Sequence, residues 1–253
     1  DGIVGAGLLD ADGDGILDVD DPDDDNDGIP DAEDTADNDD DNDGVTDLNE
    51  PQIAGKILLG SGADTLDIRN GSIVGDVSFG DGADSLSISG GAFVRGALSD
   101  SDGLLNISVA DGTLDARQTS TLNISQLDVG SDGTLIINVD PESNGGGFNV
   151  AGTANLADGF GLGVRFSSLI GDPTRYNLIT ADTLNVGTIN TDVVTDNAPY
   201  LFVLDVGADQ AANTVFVDAR RRSAAEASLI TVESEAYDAF YSALDGDSRI
   251  LNA

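Results

Sequence analysis

The stretch Gly60-Ser61-Gly62-Ala63-Asp64-Thr65-Leu66-Asp67-Ile68 recurs, offset by 20 residues, as Gly80-Asp81-Gly82-Ala83-Asp84-Ser85-Leu86-Ser87-Ile88. Each copy is a Gly/Asp turn followed by alternating apolar and polar residues. Strict alternation over a few positions marks a strand with one buried face. Weaker echoes follow at Leu105/Ile107/Val109, Leu122/Ile124 and Leu135/Ile137/Val139. A drifting period near 20 predicts stacked repeats, because one such unit cannot bury its apolar row alone. The fold class predicted is all-β: a right-handed parallel β-helix (solenoid). The residues expected inside are Leu66, Ile68, Leu86, Ile88, Leu105, Ile107, Leu122, Ile124, Leu135 and Ile137.

The texture changes at Gly145-Gly146-Gly147. Beyond it, Phe148-Asn149-Val150, Ala154-Asn155-Leu156, Leu162 to Phe166, Tyr176 to Ile179 and Leu201 to Leu204 read as longer strands and hairpins. Val215-Phe216-Val217 then leads to Arg220-Arg221-Arg222-Ser223. From Glu233 to Leu244, Ala236, Tyr237, Phe240, Tyr241 and Leu244 share one face at helical spacing, with Glu233, Glu235 and Asp238 between them. A short C-terminal helix is therefore expected there.

Upstream of Pro51 the chemistry is different. Residues 1–50 contain 21 acids and no base. The other residues hold 48 − 21 = 27 acids and 10 bases, leaving −17 of the total −38. Three units keep the pattern D-x-D-x-D-G-x-x-D-x-x-D/E in register. They are Asp10, Asp12, Asp14, Gly15, Asp18, Asp21; Asp23, Asp25, Asp27, Gly28, Asp31, Asp34; and Asp39, Asp41, Asp43, Gly44, Asp47, Glu50. Carboxylates at positions 1, 3 and 5 converge on a hard cation, and Gly at 6 permits the sharp turn. The carbonyl at 7 (Ile16, Ile29 and Val45) adds an oxygen, and the acid at 12 closes the shell. The expected cofactor is Ca²⁺, three or more ions, on an N-terminal Asp-rich repeat array. Pro22, Pro30 and Pro51 interrupt any flanking helices, so these are not EF-hands. Asp1-Gly2-Ile3 lies 13 residues before Asp14-Gly15-Ile16, as the tail of an earlier unit would.

Residues 10–50 resemble thrombospondin type 3 repeats, which wrap a chain around a row of calcium ions with little apolar core. The resemblance implies a stiff calcium-filled spacer and the acids named above as ligands. Residues 55–253 resemble, in the order of their parts, the C-terminal end of pertactin-like passenger domains of type V autotransporters. That order runs from Gly/Asp-rich coils through Val150 to Gly159 and a Tyr-x-Leu-Ile strand to Arg-Arg-Arg-Ser before Glu235 to Leu244. The resemblance implies an autochaperone-like cap and a helix leading toward an outer-membrane barrel that would lie beyond Ala253. The motif at 60–66 and 80–86 also resembles the calcium-binding nonapeptide of repeat-in-toxin proteins. Its first Gly is replaced by Leu59 and Phe79, and the units do not follow one another directly, so plain turns are expected.

The predicted organisation is a calcium array over 1–51, parallel coils over 52–145, a cap over 146–223 and a helical linker over 224–253. Composition excludes several functions. There is no Cys and no His, hence no disulfide framework, thiolate site or Ser-His-Asp triad. A net charge of −38 repels phosphates, so nucleic acid and anionic lipid are poor partners. No apolar run reaches membrane-spanning length, so no direct membrane insertion is expected. Bases are few between the array and Arg220, and most Asp sit in Gly turns, where they cap backbone groups. A non-catalytic protein is expected. The function predicted is a calcium-stabilised extracellular stalk or adhesin-type autotransporter passenger on the surface of a Gram-negative bacterium, with a host or cell-surface receptor. The alternative is a calcium-dependent structural protein that self-assembles into a surface layer or filament. Arg220–Arg222 are expected to pair with local acids or cap the helical region; docking a partner or marking the barrel junction is the other reading.

Overall fold

The computed structural model describes residues 52–197 and 201–227, together with 229, 233, 236 and 237. The chain divides at Pro51/Gln52 into two units, and all of the described residues belong to the second. The expected array over residues 1–51 lies outside the described residues.

The described chain is all-β, with parallel strands in its sheets and one short helix. It opens with β1 (Gln52–Ala54), β2 (Ile57–Leu58) and β3 (Thr65–Arg69). The same trio returns as β4 (Ser72–Val74), β5 (Val77–Ser78) and β6 (Ser85–Ser89), then as β7 (Phe93–Gly96), β8 (Leu98–Ser99) and β9 (Asn106–Val109). Next come β10 (Thr113–Ala116), β11 (Leu122–Ile124) and β12 (Gln126–Val129). Longer strands follow: β13 (Thr134–Asp140), β14 (Gly145–Gly146), β15 (Phe148–Leu156), β16 (Gly161–Phe166) and β17 (Thr174–Val186). Helix α1 (Asp192–Asn197) precedes β18 (Phe202–Asp209) and β19 (Thr214–Arg221).

Each trio up to β9 contributes one strand to each of three sheets. The first sheet runs β1-β4-β7-β10-β13 with β16 beside β13; the second runs β3-β6-β9-β12-β15-β17; the third is β2-β5-β8. All of these pairings are parallel, as the repeat predicts. Antiparallel sandwich pairing over this span is ruled out. The register aligns like residues. Leu66, Leu86, Ile107 and Leu127 form one row, and Ile68, Ile88, Val109 and Val129 the next. Ile73, Val94, Leu114 and Leu135 form a third row on the first sheet. A one-residue slip would turn every such row outward.

Nine of the ten residues expected inside are buried, and Leu66, at the start of its row, is half-buried against them. Each full burial of a Leu or Ile contributes about 1.5–3 kcal/mol. The echoes, however, mix sheets. Leu122/Ile124 pair with Phe148/Val150, and Leu135/Ile137 belong to the first sheet. The true continuation of Ile107/Val109 is Leu127/Val129. Alternation reports a buried face but not which sheet owns it.

Gly145–Gly147 does not end the stack. β14 folds back antiparallel on Val139 and Asp140, after which β15 rejoins the second sheet in parallel. Phe148 to Val150 and Ala154 to Leu156 lie on one bulged strand. The expected hairpin is β18–β19, which pairs antiparallel onto β17 and closes the second sheet. Phe166 stacks edge-on against Tyr176 and Phe202 under this closure, with centroids 5.7 Å apart in both pairs. Helix α1 is not among the elements expected from sequence. Asn190 Oδ1 accepts from the Asp192 N–H at 3.1 Å, a side-chain cap at its start, and Val194 is buried. Of the expected C-terminal helix, Glu233, Ala236 and Tyr237 are described and helical; the remainder lies outside the described residues.

Candidate functional site

The expected calcium ligands all lie outside the described residues, from Asp10, Asp12, Asp14, Ile16, Asp18 and Asp21 through to Glu50. An open groove of about 690 Å³ lies on the outer face of the second sheet. Outward positions of β9, β12, β15 and β17 line it with Ser108, Asp128, Asn155 and Asn185, and Asp158 and Gln210 stand at its rim. Register explains the polar ladder. Asp128, Asn155 and Asn185 are directly paired across the strands. Asn185 Nδ2 donates to Asn155 Oδ1 at 2.8 Å, and Asn155 Nδ2 donates to Asp128 Oδ1 at 2.6 Å. Gln126 Nε2 donates to the other Asp128 oxygen at 2.5 Å. Asp158 Oδ1 accepts from the Thr188 N–H at 2.9 Å. The groove offers amides and hydroxyls, and its carboxylates are already engaged. This suits surface recognition of a polar ligand better than proton transfer.

Among the described residues, three ion pairs converge on one carboxylate of the first sheet. Asp115 is fully buried, in register with Arg95 on one side and Ile136 on the other. Arg117 grips it bidentately, Nε to Oδ1 and Nη2 to Oδ2, both at 2.8 Å. Arg95 Nε donates to Oδ2 at 3.1 Å, and Arg165 Nε stands 3.4 Å from Oδ1. Burial alone would push this carboxyl up. The bonds from Arg117, the charges of Arg117 and Arg165 and the bond from Arg95 outweigh it and hold the group below the usual carboxylate range. Three guanidinium groups on one carboxylate leave a local charge of +2 in a strongly acidic chain. In the sequence these arginines look scattered. The usable signal is the Arg95/Asp115 spacing of 20, the repeat length itself.

Of Arg220 to Arg222, Arg220 pairs with a local acid, while Arg222 Nη2 donates to the Phe202 carbonyl at 3.2 Å. Both Arg220 Nη atoms donate to Glu226, at 2.8 and 2.6 Å. Ser223 and Glu226 bond reciprocally: the Ser223 N–H donates to Glu226 Oε2 at 2.9 Å, and the Glu226 N–H to Ser223 Oγ at 3.3 Å. This is a capping box. The Arg220 and Ser223 bonds hold the Glu226 carboxyl far below its ordinary value. Arg221 lies over the Tyr237 ring, 4.1 Å from its centroid, and Tyr237 Oη donates to the Arg222 carbonyl at 2.8 Å. The buried Tyr237 thus ties the helical residues to the end of β19.

No protein-family model, curated protein or solved structure matches this chain. Among the described residues, no helix is long and apolar enough to cross a membrane.

Proposed function

We propose that residues 52–223 form a right-handed parallel β-helix, and that the chain is a calcium-stabilised, non-catalytic stalk or adhesin-type passenger at the surface of a Gram-negative bacterium. The observation that carries this reading is the parallel pairing of like residues 20 to 21 positions apart in three sheets, closed by the antiparallel β17–β19–β18 edge. Such a stack grows by repetition and makes a stiff rod whose length scales with copy number. The closing strands and the Tyr237 tie suit a cap from which the stack zips. Ligand contact would fall on the long outer sheet, where the Asp128–Asn155–Asn185 ladder faces solvent. The acidic array over 10–50 would serve as a calcium-ordered spacer, its Asp ligands drawn from the three units above.

The test is surface labelling of intact cells producing the full-length gene product. External protease should remove the chain from intact cells, while chelator alone should leave it cell-bound. Retention inside the cell would overturn the reading. Release by chelator as regular arrays would favour the self-assembling layer instead.

A further inference from the structure

Three of the chain's 10 bases gather on the outer face of the first sheet around the Asp115 carboxylate. Val74, Arg95, Asp115 and Ile136 form one row across β4, β7, β10 and β13. Arg117 follows β10 directly, and Arg165 lies on β16. The Asp115 side chain is fully covered, whereas those of Arg95, Arg117 and Arg165 are 43 %, 39 % and 29 % exposed. The guanidinium groups therefore form the surface, and the carboxylate lies beneath them. The Phe93 ring, 4.7 Å from the Arg95 guanidinium carbon, supports that group from another side.

Donors outnumber what Asp115 can accept. Three guanidinium groups carry about fifteen N–H bonds, and a carboxylate offers about four lone-pair sites. Arg117 spends Nε and Nη2 on Asp115, and Arg95 spends Nε. Arg165 Nε, though within ion-pair distance, is buried and makes no hydrogen bond. Among the described residues, the Nη groups of Arg95 and Arg165 have no hydrogen-bond acceptor. The third arginine thus adds charge to a carboxylate that already accepts three bonds. Asp76 and Asp140, which follow Val74 and Asn138 by two positions, do not offset it. Asp76 accepts from the Ala97 N–H, and Asp140 from Ser143 and Ser167.

Long side chains ordinarily lose rotamer freedom when they bind. Here Asp115 has fixed them beforehand, which lowers that cost. The surrounding acidity selects for ligand size. At physiological salt, exposed charges more than about 8 Å apart are largely screened. A single anionic group feels the three arginines, whereas an extended polyanion also spans the acidic surface around them. Guanidinium forks match a planar carboxylate. We propose that Arg95, Arg117 and Arg165 form a preorganised site for a single carboxylate group of a small acid or sugar acid, with Asp115 as the positioning residue beneath them. The site is separate from the polar ladder of the second sheet.

The test is titration of the full chain with acetate, glucuronate and neutral glucose at constant ionic strength. It is followed by NMR of the arginine Nε–H groups and of the amides over 93–96, 113–117 and 163–166. Both carboxylates should give saturable shifts at Arg95, Arg117 and Arg165, and glucose should give none. Tighter binding of glucuronate assigns the group to a sugar acid; tighter binding of acetate assigns it to a small free acid. Arg165→Gln should weaken binding about tenfold, while Arg69→Gln, which removes an exposed arginine paired with Asp67, should not. Arg165→Lys keeps the charge and loses the fork, so it should also weaken binding, and it serves where the Gln variant does not fold. Asp115→Asn makes the patch more positive but frees its side chains, so a preorganised site binds more weakly and a merely charged one more tightly. No saturable shift with either carboxylate, an equal response to glucose, parental affinity in the folded Arg165 variants, or tighter binding by Asp115→Asn would each overturn the proposal.

Discussion

Gly60 and Gly80 occupy the same place in successive turns, yet alanine should be damaging at Gly80 and nearly neutral at Gly60. A Cβ built on Gly80 would lie 1.6 Å from the Gly60 carbonyl oxygen and 2.6 Å from its carbon. A Cβ on Gly60 meets nothing within 4 Å. Neither residue has a left-handed φ, so backbone strain does not separate them. The loss of unfolded-chain entropy on replacing Gly by Ala is common to both and cancels in the comparison. What remains is the clash. To reach an ordinary contact the Cβ and that oxygen must part by about 1.8 Å or more, against a strand spacing of about 4.8 Å. That opening strains the flanking bonds from the Leu59 N–H to Ser78 O, at 2.9 Å, and from the Gly62 N–H to Asp81 O, at 2.7 Å. Two weakened backbone bonds at about 1 kcal/mol each, with an overpacking cost of about 1–3 kcal/mol, give a loss of about 3–5 kcal/mol for Gly80→Ala. Gly60→Ala should stay within about 0.5 kcal/mol. In a unit of this size 1 kcal/mol shifts Tm by about 2–4 °C, so Gly80→Ala should melt about 6–20 °C lower. Thermal melting of both variants, followed by circular dichroism in the strand band, gives the comparison. Equal shifts, or a larger loss at Gly60, would refute the close stacking of these turns.

Other outcomes follow from the same geometry. Leu86→Asp places an unpaired charge at a position that is 1 % exposed and should cost about 4 kcal/mol or more; a variant with unchanged urea midpoint would contradict the register. Asp115→Asn removes the carboxylate that three arginines surround, and should cost about 2 kcal/mol after allowing for the partly exposed guanidinium groups. Because the folded Asp115 group titrates below its unfolded value, its contribution is present above about pH 4 and is lost as pH falls through the depressed value. Acid titration of stability, read from urea midpoints below about pH 5, should therefore be shallower in the Asn variant. Glu226→Ala breaks both the Arg220 pair and the Glu226 side of the Ser223 box, and should loosen the Tyr237 tie, read as faster exchange at the Arg222 amide and weaker tyrosine protection. Chelator should open the acidic segment before Pro51 to protease while the stack from β9 to β17 resists cleavage; equal resistance of both would show that calcium does not order the array.

Much of this molecule is legible in the sequence. Alternation at Leu66/Ile68 and Leu86/Ile88, with a 20-residue offset, dictates parallel strands with those residues inward, because backbone pleat and burial leave no other face for them. The run of Asp, Gly and aliphatic residues before Pro51 sets the calcium expectation by ligand spacing alone. Local pairing of the Arg220 cluster is likewise within reach of sequence, since Glu226 and Ser223 lie close enough along the chain to form it. The tertiary structure decided what depends on the third dimension of the stack. Alternation shows that a residue is buried but not which neighbour lies above it, so the assignment of Leu122/Ile124 to Phe148/Val150 needed the register. Arg165 on β16 reaches Asp115 on β10 across the intervening β13, a neighbourhood that spacing along the chain does not show. The same holds for Asp84. Its sequence neighbours mark a surface turn, and it is buried where its turn lies between those of Asp64 and Leu105, because a position's solvent exposure is set by the repeats on either side as well as by its own.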